Sequence, residues 1–217
     1  MIVSERYTEY INSLGEPLSD ELEALFRRAR EEDVPVIRRE TQSFLRVILK
    51  QKCPRNILEV GTAIGFSALF MAECTPAETQ ITTIEKYEKR IPLAKENFRS
   101  FGQEERISLL EGDAADILPT LESGAYDLIF MDAAKGQYIH FLPQVKRLLT
   151  GGGILISDNV LQDGQLIESR FAVPRRDRTI HERMREYLWA LTHDESLTTS
   201  VLTVGDGIAI SLRDAKA

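Results

Sequence analysis

The chain has 217 residues, a formal net charge of −7, 43% hydrophobic residues and 28% charged residues. That length suits one α/β sheet with its covering helices, and the composition excludes a disordered or fibrous chain. The acidic balance weighs against a protein that coats nucleic acid through its whole surface.

From Ser4 onward the N-terminus is polar and has no charged-then-apolar signal pattern. No run approaches the roughly 18 apolar residues that span a bilayer, so a cytoplasmic location and no membrane partner are expected. Helices are expected over residues 1–52, where Asp20 and Glu23 have capping-box spacing and Leu22, Leu25, Phe26 and Ala29 recur on one helical face. Residues 53–217 read as the α/β core of the same single domain. Its short apolar runs at Asn56–Val60, Gln80–Ile84, Ile107–Leu110, Asp127–Met131 and Gly153–Ile156 are separated by helical segments such as Ile91, Ala94, Phe98 and Phe101. This alternation predicts parallel strands, right-handed helical crossovers and a sheet covered on both faces. Residues 161–174 read as a loop over the ligand-binding edge. A helix carrying Ile180, Met184, Tyr187, Leu188 and Leu191 follows, and then an antiparallel hairpin, Thr198–Val204 and Ile208–Leu212, around Gly205-Asp206-Gly207. The fold class is therefore doubly wound α/β with seven mostly parallel strands. Cys53 and Cys74 lack metal-ligand spacing and read as packing residues.

Ligands of open α/β sheets bind beyond the carboxyl ends of the strands. The first strand leads into Glu59-Val60-Gly61-Thr62-Ala63-Ile64-Gly65-Phe66-Ser67, whose glycines permit a tight turn. Ala63 and Phe66 stand where a dinucleotide fingerprint needs glycine, so a nicotinamide dinucleotide is disfavoured. Glu85, 24 residues after Gly61, has the spacing of a ribose-binding carboxylate. Asp113, within Glu111-Gly112-Asp113-Ala114, falls beside an adenine amino group or caps a helix, and the two roles are compatible. Over about residues 35 to 212 this order resembles the class I S-adenosylmethionine-dependent methyltransferases. The resemblance implies their Rossmann-like fold and cofactor contacts at Ile37, Glu59, Gly61, Ser67, Glu85, Asp113, Ala114 and Asp132.

The fourth and fifth strands end in Asp132-Ala133-Ala134-Lys135-Gly136-Gln137-Tyr138 and Ser157-Asp158-Asn159. Asp132, Asp158 and Asn159 are hard oxygen ligands suited to Mg²⁺ and not to zinc. A turn at Asp158-Asn159 and a helix cap at Asp132 are the purely structural alternatives. The combination resembles the divalent-cation-dependent O-methyltransferases of the catechol and caffeoyl-CoA type. That resemblance makes the three residues metal ligands, Asp132 part of the catalytic set and Lys135 a candidate base, though Lys135 also reads as a solvated helix lysine.

Either a catechol or 5-hydroxyuridine presents two neighbouring oxygens to such a cation. Between Arg170 and Arg185 lie six arginines (170, 175, 176, 178, 183 and 185) against two acids, a pattern that fits phosphate contacts or a solvated helix face. With the Asp-Asn-Val-Leu, Pro-Arg-Arg-Asp-Arg and Val-Gly-Asp-Gly-Ile-Ala-Ile-Ser segments, the chain resembles the bacterial tRNA 5-hydroxyuridine methyltransferases, which make 5-methoxyuridine at the wobble position. The resemblance implies a tRNA anticodon loop as partner, RNA contacts at Arg170, Arg175, Arg176, Arg178 and Tyr138, and a homodimer. A small-molecule catechol-type enzyme is the alternative. A non-catalytic module binding S-adenosylmethionine or RNA is disfavoured, because cofactor binding alone needs no cation site.

Overall fold

The computed structural model describes residues 3–215. Three helices come first: α1 (Glu5–Ser13), α2 (Asp20–Glu31) and α3 (Arg39–Lys52). The core begins with β1 (Asn56–Val60), α4 (Phe66–Glu73), β2 (Gln80–Glu85), α5 (Ile91–Ser100), β3 (Ile107–Glu111) and α6 (Ala114–Ile117). It continues with β4 (Tyr126–Met131), α7 (Tyr138–Leu148), β5 (Leu149–Ser157), α8 (Arg178–Thr192), β6 (Leu197–Leu202) and β7 (Ile208–Arg213). The strands form one seven-stranded sheet in the order β3-β2-β1-β4-β5-β7-β6. β1 to β5 run parallel, and β7 lies antiparallel between β5 and β6. This is the expected class I methyltransferase fold.

Successive strand residues point to opposite faces, which splits the core into two layers. Ile57, Leu128 and Phe130 pack with α2, α3, α4 and α5, while Leu58, Val60, Ile129 and Met131 pack with α7 and α8. α4 is buried on every side, from Phe66 to Ala72, and apolar there except for Ser67, because it is covered by the N-terminal helices as well as by the sheet. Phe26 of α2 meets Phe66 with ring centroids 5.5 Å apart. Burying one such ring is worth roughly 1.5–3 kcal/mol, which is how the N-terminal helices become part of the domain.

Two local expectations shift. Ser19, not Asp20, caps α2, its hydroxyl accepting from Leu22 N at 3.4 Å. Asp20 instead lies in the first turn, where its charge meets the positive end of the helix, and Glu23 pairs with Arg39 at 2.6 Å. Cys74 is buried as expected, but Cys53 is exposed, because it ends α3 in a left-handed conformation with φ of 47° that turns the chain toward β1. Among the described residues no helix is long and apolar enough to cross a membrane.

Candidate active site

Leaving β1, the chain builds the sheet outward through β2 and β3, then returns to the other side of β1 as β4. At that reversal the strand ends diverge, and a cavity of about 800 Å³ opens there. Gly61 makes the divergence possible. Its φ is +95°, its N–H donates to Ile84 O at 2.9 Å, and a Cβ at this position would lie 2.4 Å from the carbonyl oxygen of Asp132.

One half of the cavity is lined by residues of the expected cofactor set: Ile37, Gly61, Ser67, Glu85, Asp113 and Ala114. Glu85 is nearly buried and accepts from three backbone N–H groups, those of Ala63 (2.8 Å), Lys86 (2.9 Å) and Tyr87 (2.8 Å). A carboxylate has about four acceptor sites, so a fixed anion with capacity for a further donor faces the cavity. Asp113 caps α6 by accepting from Ala115 N at 2.9 Å. That bond, together with Lys86 at 3.2 Å, holds its carboxyl below the usual range. Glu59 departs from the expectation of a direct contact. Alternation along β1 turns it toward α4, where it is fully buried, receives a hydrogen bond from the Thr83 hydroxyl and does not line the cavity. Among the described residues its Oε1 has no hydrogen-bond partner.

The other half is lined by Asp132, Lys135, Asp158 and Asn159. The backbone N–H of Asp132 donates to Val60 O and that of Asp158 to Met131 O, both at 3.0 Å, so adjacent strand ends hold the two acids at one level. Burial pushes both carboxyls above their ordinary range. The nearby Lys135 draws Asp132 back, whereas repulsion from Asp132 drives Asp158 higher still. Asn159 adopts a left-handed φ of 57°, and its N–H donates to the Asp158 carboxylate at 2.8 Å. Two desolvated carboxylates beside an amide oxygen fit a hard divalent cation such as Mg²⁺, which neutralises the charge and keeps positions for water and substrate. Among the described residues no three His, Cys, Asp or Glu side chains form a metal cluster, so a cation here depends on the mixed carboxylate and amide set.

Three further residues complete this half and were not singled out by sequence reasoning. Asp206 is 4% exposed and ion-pairs with Lys135 at 3.4 Å. Arg38 forms a two-bond pair with Asp163 (3.1 and 3.0 Å) that ties the segment before α3 to the loop after β5. The acid between two glycines at 205–207 was the available signal, but it also reads as ordinary hairpin turn chemistry.

The expected RNA contacts are not gathered around the cavity. Tyr138 is corrected outright: it is completely buried, its hydroxyl donates toward Met131 O (3.1 Å) and Asp158 O (3.2 Å), and its ring meets Tyr187 edge-on at 5.4 Å. No base can stack on it; it braces the ends of β4 and β5. None of the six arginines lines the cavity. Arg178, Arg183 and Arg185 donate to the carbonyls of Val173, Gly136 and Leu166, and Arg170 pairs with Glu182 at 3.5 Å. Arg175 and Arg176 remain exposed, the latter 3.5 Å from Asp177.

A family described as O-methyltransferase matches residues 15–214. A catechol O-methyltransferase of Niastella koreensis is 32% identical over 177 residues, covering 79% of this chain and 80% of the relative. A caffeoyl-CoA O-methyltransferase of Populus kitakamiensis is 29% identical over 175 residues, covering 78% of this chain and 74% of the relative. The crystal structure of an SAH-bound methyltransferase from Podospora anserina superposes with a TM-score of 0.87 at 27% identity, covering 97% of this chain and 94% of that one.

Proposed function

The chain belongs to the O-methyltransferase family, as an S-adenosylmethionine-dependent enzyme of the catechol and caffeoyl-CoA type, and from that premise we propose that its acceptor is a ring hydroxyl with a second oxygen beside it. The observation that carries this reading is the pair of half-buried Asp132 and buried Asp158, with Asn159 beside them, in the half of the cavity away from Glu85 and Asp113. Asp132, Asp158 and Asn159 would hold the divalent cation. When bound, the cation stabilises the oxyanion of a hydroxyl it touches and orients two neighbouring oxygens. Lys135 Nζ stands on the same wall, and its neutral amine form would accept the hydroxyl proton, the resulting ammonium being held by Asp206 at 3.4 Å. The acceptor oxygen then bonds the methyl carbon, and the carbon–sulfur bond breaks with its electron pair left on sulfur. Glu85 and Asp113 hold the nucleoside end of the donor, while Ile37 and Ser67 close the cavity around it.

The names of the relatives support a free phenolic acceptor of the catechol pattern. A second reading, 5-hydroxyuridine at the wobble position of tRNA, has the same oxygen pattern and is favoured by one observation. Arg175 and Arg176 project into solvent on the segment leading into α8, where they are available to phosphates.

The test incubates purified protein and S-adenosylmethionine with a catechol, or with tRNA carrying 5-hydroxyuridine, with and without EDTA, and identifies products by mass spectrometry. Mg²⁺-dependent methylation of one acceptor is expected. Asp132→Ala and Asp158→Ala should each lower it on the order of 10³-fold, several kcal/mol of barrier, while retaining cofactor binding. Undiminished turnover in both variants would remove the cation site from the reaction.

A further inference from the structure

Asp206 lies outside the three proposed ligands, yet the chain spends an unusual amount of geometry on placing it. Gly205 and Gly207 flank it with φ of +57° and +91°. A Cβ at 207 would lie 2.4 Å from Leu161 Cγ, and one at 205 would lie 2.9 Å from Thr41 Oγ1. The turn is thus pressed between the loop after β5 and the start of α3, where no larger residue fits. Its backbone is sewn to that loop: Val160 N donates to Gly207 O (2.9 Å) and Leu161 N to Asp206 O (3.1 Å). The buried carboxylate at the tip accepts from the backbone N–H of Asp163, from Lys135 Nζ at 3.4 Å and from Asn159 Nδ2 at 3.5 Å.

These contacts have a directional consequence. An amide side chain has a donating and an accepting end, and beside a carboxylate only the donating NH₂ is tolerated. Asp206 therefore fixes which way the Asn159 amide is turned, leaving its oxygen for the side of Asp132 and Asp158. The same carboxylate oxygen, Oδ2, also meets the ammonium of Lys135, so ligand and base are referred to one fixed point. We infer that Asp206 is a positioning residue: it orients the Asn159 oxygen toward the cation and holds Lys135 Nζ at the acceptor, through a turn locked against the loop after β5. The inference rests on the proposed reading of Asp132, Asp158 and Asn159 as a cation site. Outer partners of metal ligands typically change metal affinity by about 10–100-fold when removed.

The experiment measures Mn²⁺ binding by titration calorimetry and electron paramagnetic resonance in the wild type and in Asp158→Ala, Asp206→Ala and Asp206→Asn. SAH affinity and thermal unfolding are recorded alongside. Wild type should bind Mn²⁺ and Asp158→Ala should lose it. Asp206→Ala should bind it about 10–100-fold more weakly at unchanged SAH affinity. Asp206→Asn should recover part of that loss, because its amide oxygen still accepts from Asn159. In turnover the two Asp206 variants should lose kcat while KM for S-adenosylmethionine stays in place. Wild-type Mn²⁺ affinity in both Asp206 variants, with Asp158→Ala inactive in binding, overturns the inference and leaves the cation site standing. If the wild type itself fails to bind Mn²⁺, the cation reading falls and takes the inference with it. If Asp206→Ala does not fold, Asp206→Asn decides alone: weaker Mn²⁺ binding supports the role, and wild-type binding overturns it.

Discussion

Glu59 shows how much a single strand position decides. Leu58 and Val60 face one core layer, so the residue between them must enter the other, where it finds the Thr83 hydroxyl and is shielded from solvent. Burial pushes its carboxyl up to about 7, against the pull of hydroxyl hydrogen bonds. A folded-state value above the unfolded one means that the folded protein keeps the proton while the unfolded chain releases it. The penalty is therefore absent below about pH 4.5, grows as pH rises through the interval, and is complete above about pH 7. A shift of this size corresponds to about 3 kcal/mol. Glu59→Gln should remove that part of the pH dependence. Denaturant unfolding at pH 5 and pH 8 should show the wild type losing about 2.5 kcal/mol relative to the variant, since a small part of the penalty is already present at pH 5. An equal pH dependence in both proteins would place the charged form comfortably in the fold. The sequence put Glu59 near the cofactor because it sits in the glycine motif. Which face it occupies is fixed only when the register of β1 against β2 pairs Glu59 with Thr83.

At the scale of elements, the turn from β1 to α4 controls how closely two strand ends approach. Gly61 and Gly152 both have positive φ, +95° and +75°, but their surroundings differ. A Cβ at 61 would meet the Asp132 backbone at 2.4 Å, whereas one at 152 would meet nothing within 4 Å among the described residues. Gly152→Ala should therefore cost only conformational strain, about 1–3 kcal/mol. Gly61→Ala adds overpacking against a backbone that cannot rotate away, roughly another 1–3 kcal/mol, and should also weaken SAH binding. Equal unfolding free energies and unchanged SAH affinity would show that β4 yields at this point. The same elements show what periodicity delivers. Buried parallel strands need apolar side chains on both faces, so β1 to β4 were legible as runs to within one residue at each end. β5 starts earlier than its apolar run because Leu149 already pairs with Tyr126, after which the register shifts and regular pairing resumes at Leu128 and Ile154. The 205–207 turn was legible as a hairpin, but its place in the site depends on contacts with Thr41 and Leu161, far away in sequence. Hydrophobic pattern carries no information on such pairings.

The whole molecule carries a net charge of −7 with a local excess of arginine between 170 and 185, and the sequence could not say how much of that excess was free. Folding divides it. Arg178, Arg183 and Arg185 serve backbone carbonyls around α8 and the neighbouring loops, Arg170 is paired, and Arg175 and Arg176 are left exposed in a short 3-10 turn. A nucleic acid would meet two arginines on an otherwise acidic body, so its affinity should be modest and sensitive to salt. Each phosphate neutralised on a single strand releases counterions and contributes about −0.7 to the slope of log affinity against log salt. If the acceptor is tRNA, removing both arginines should flatten that slope by about 1.4 and weaken binding most at low salt. Fluorescence anisotropy with an anticodon stem-loop between 50 and 200 mM KCl measures both quantities, ranges chosen to bracket ordinary ionic strength. A flat wild-type salt dependence, or an unchanged slope in Arg175→Ala/Arg176→Ala, would instead assign the cavity to free phenols. Those would reach the proposed cation site by shape and chelation alone and have no phosphate to release counterions, so their turnover should respond to Asp158 and not to the arginine turn.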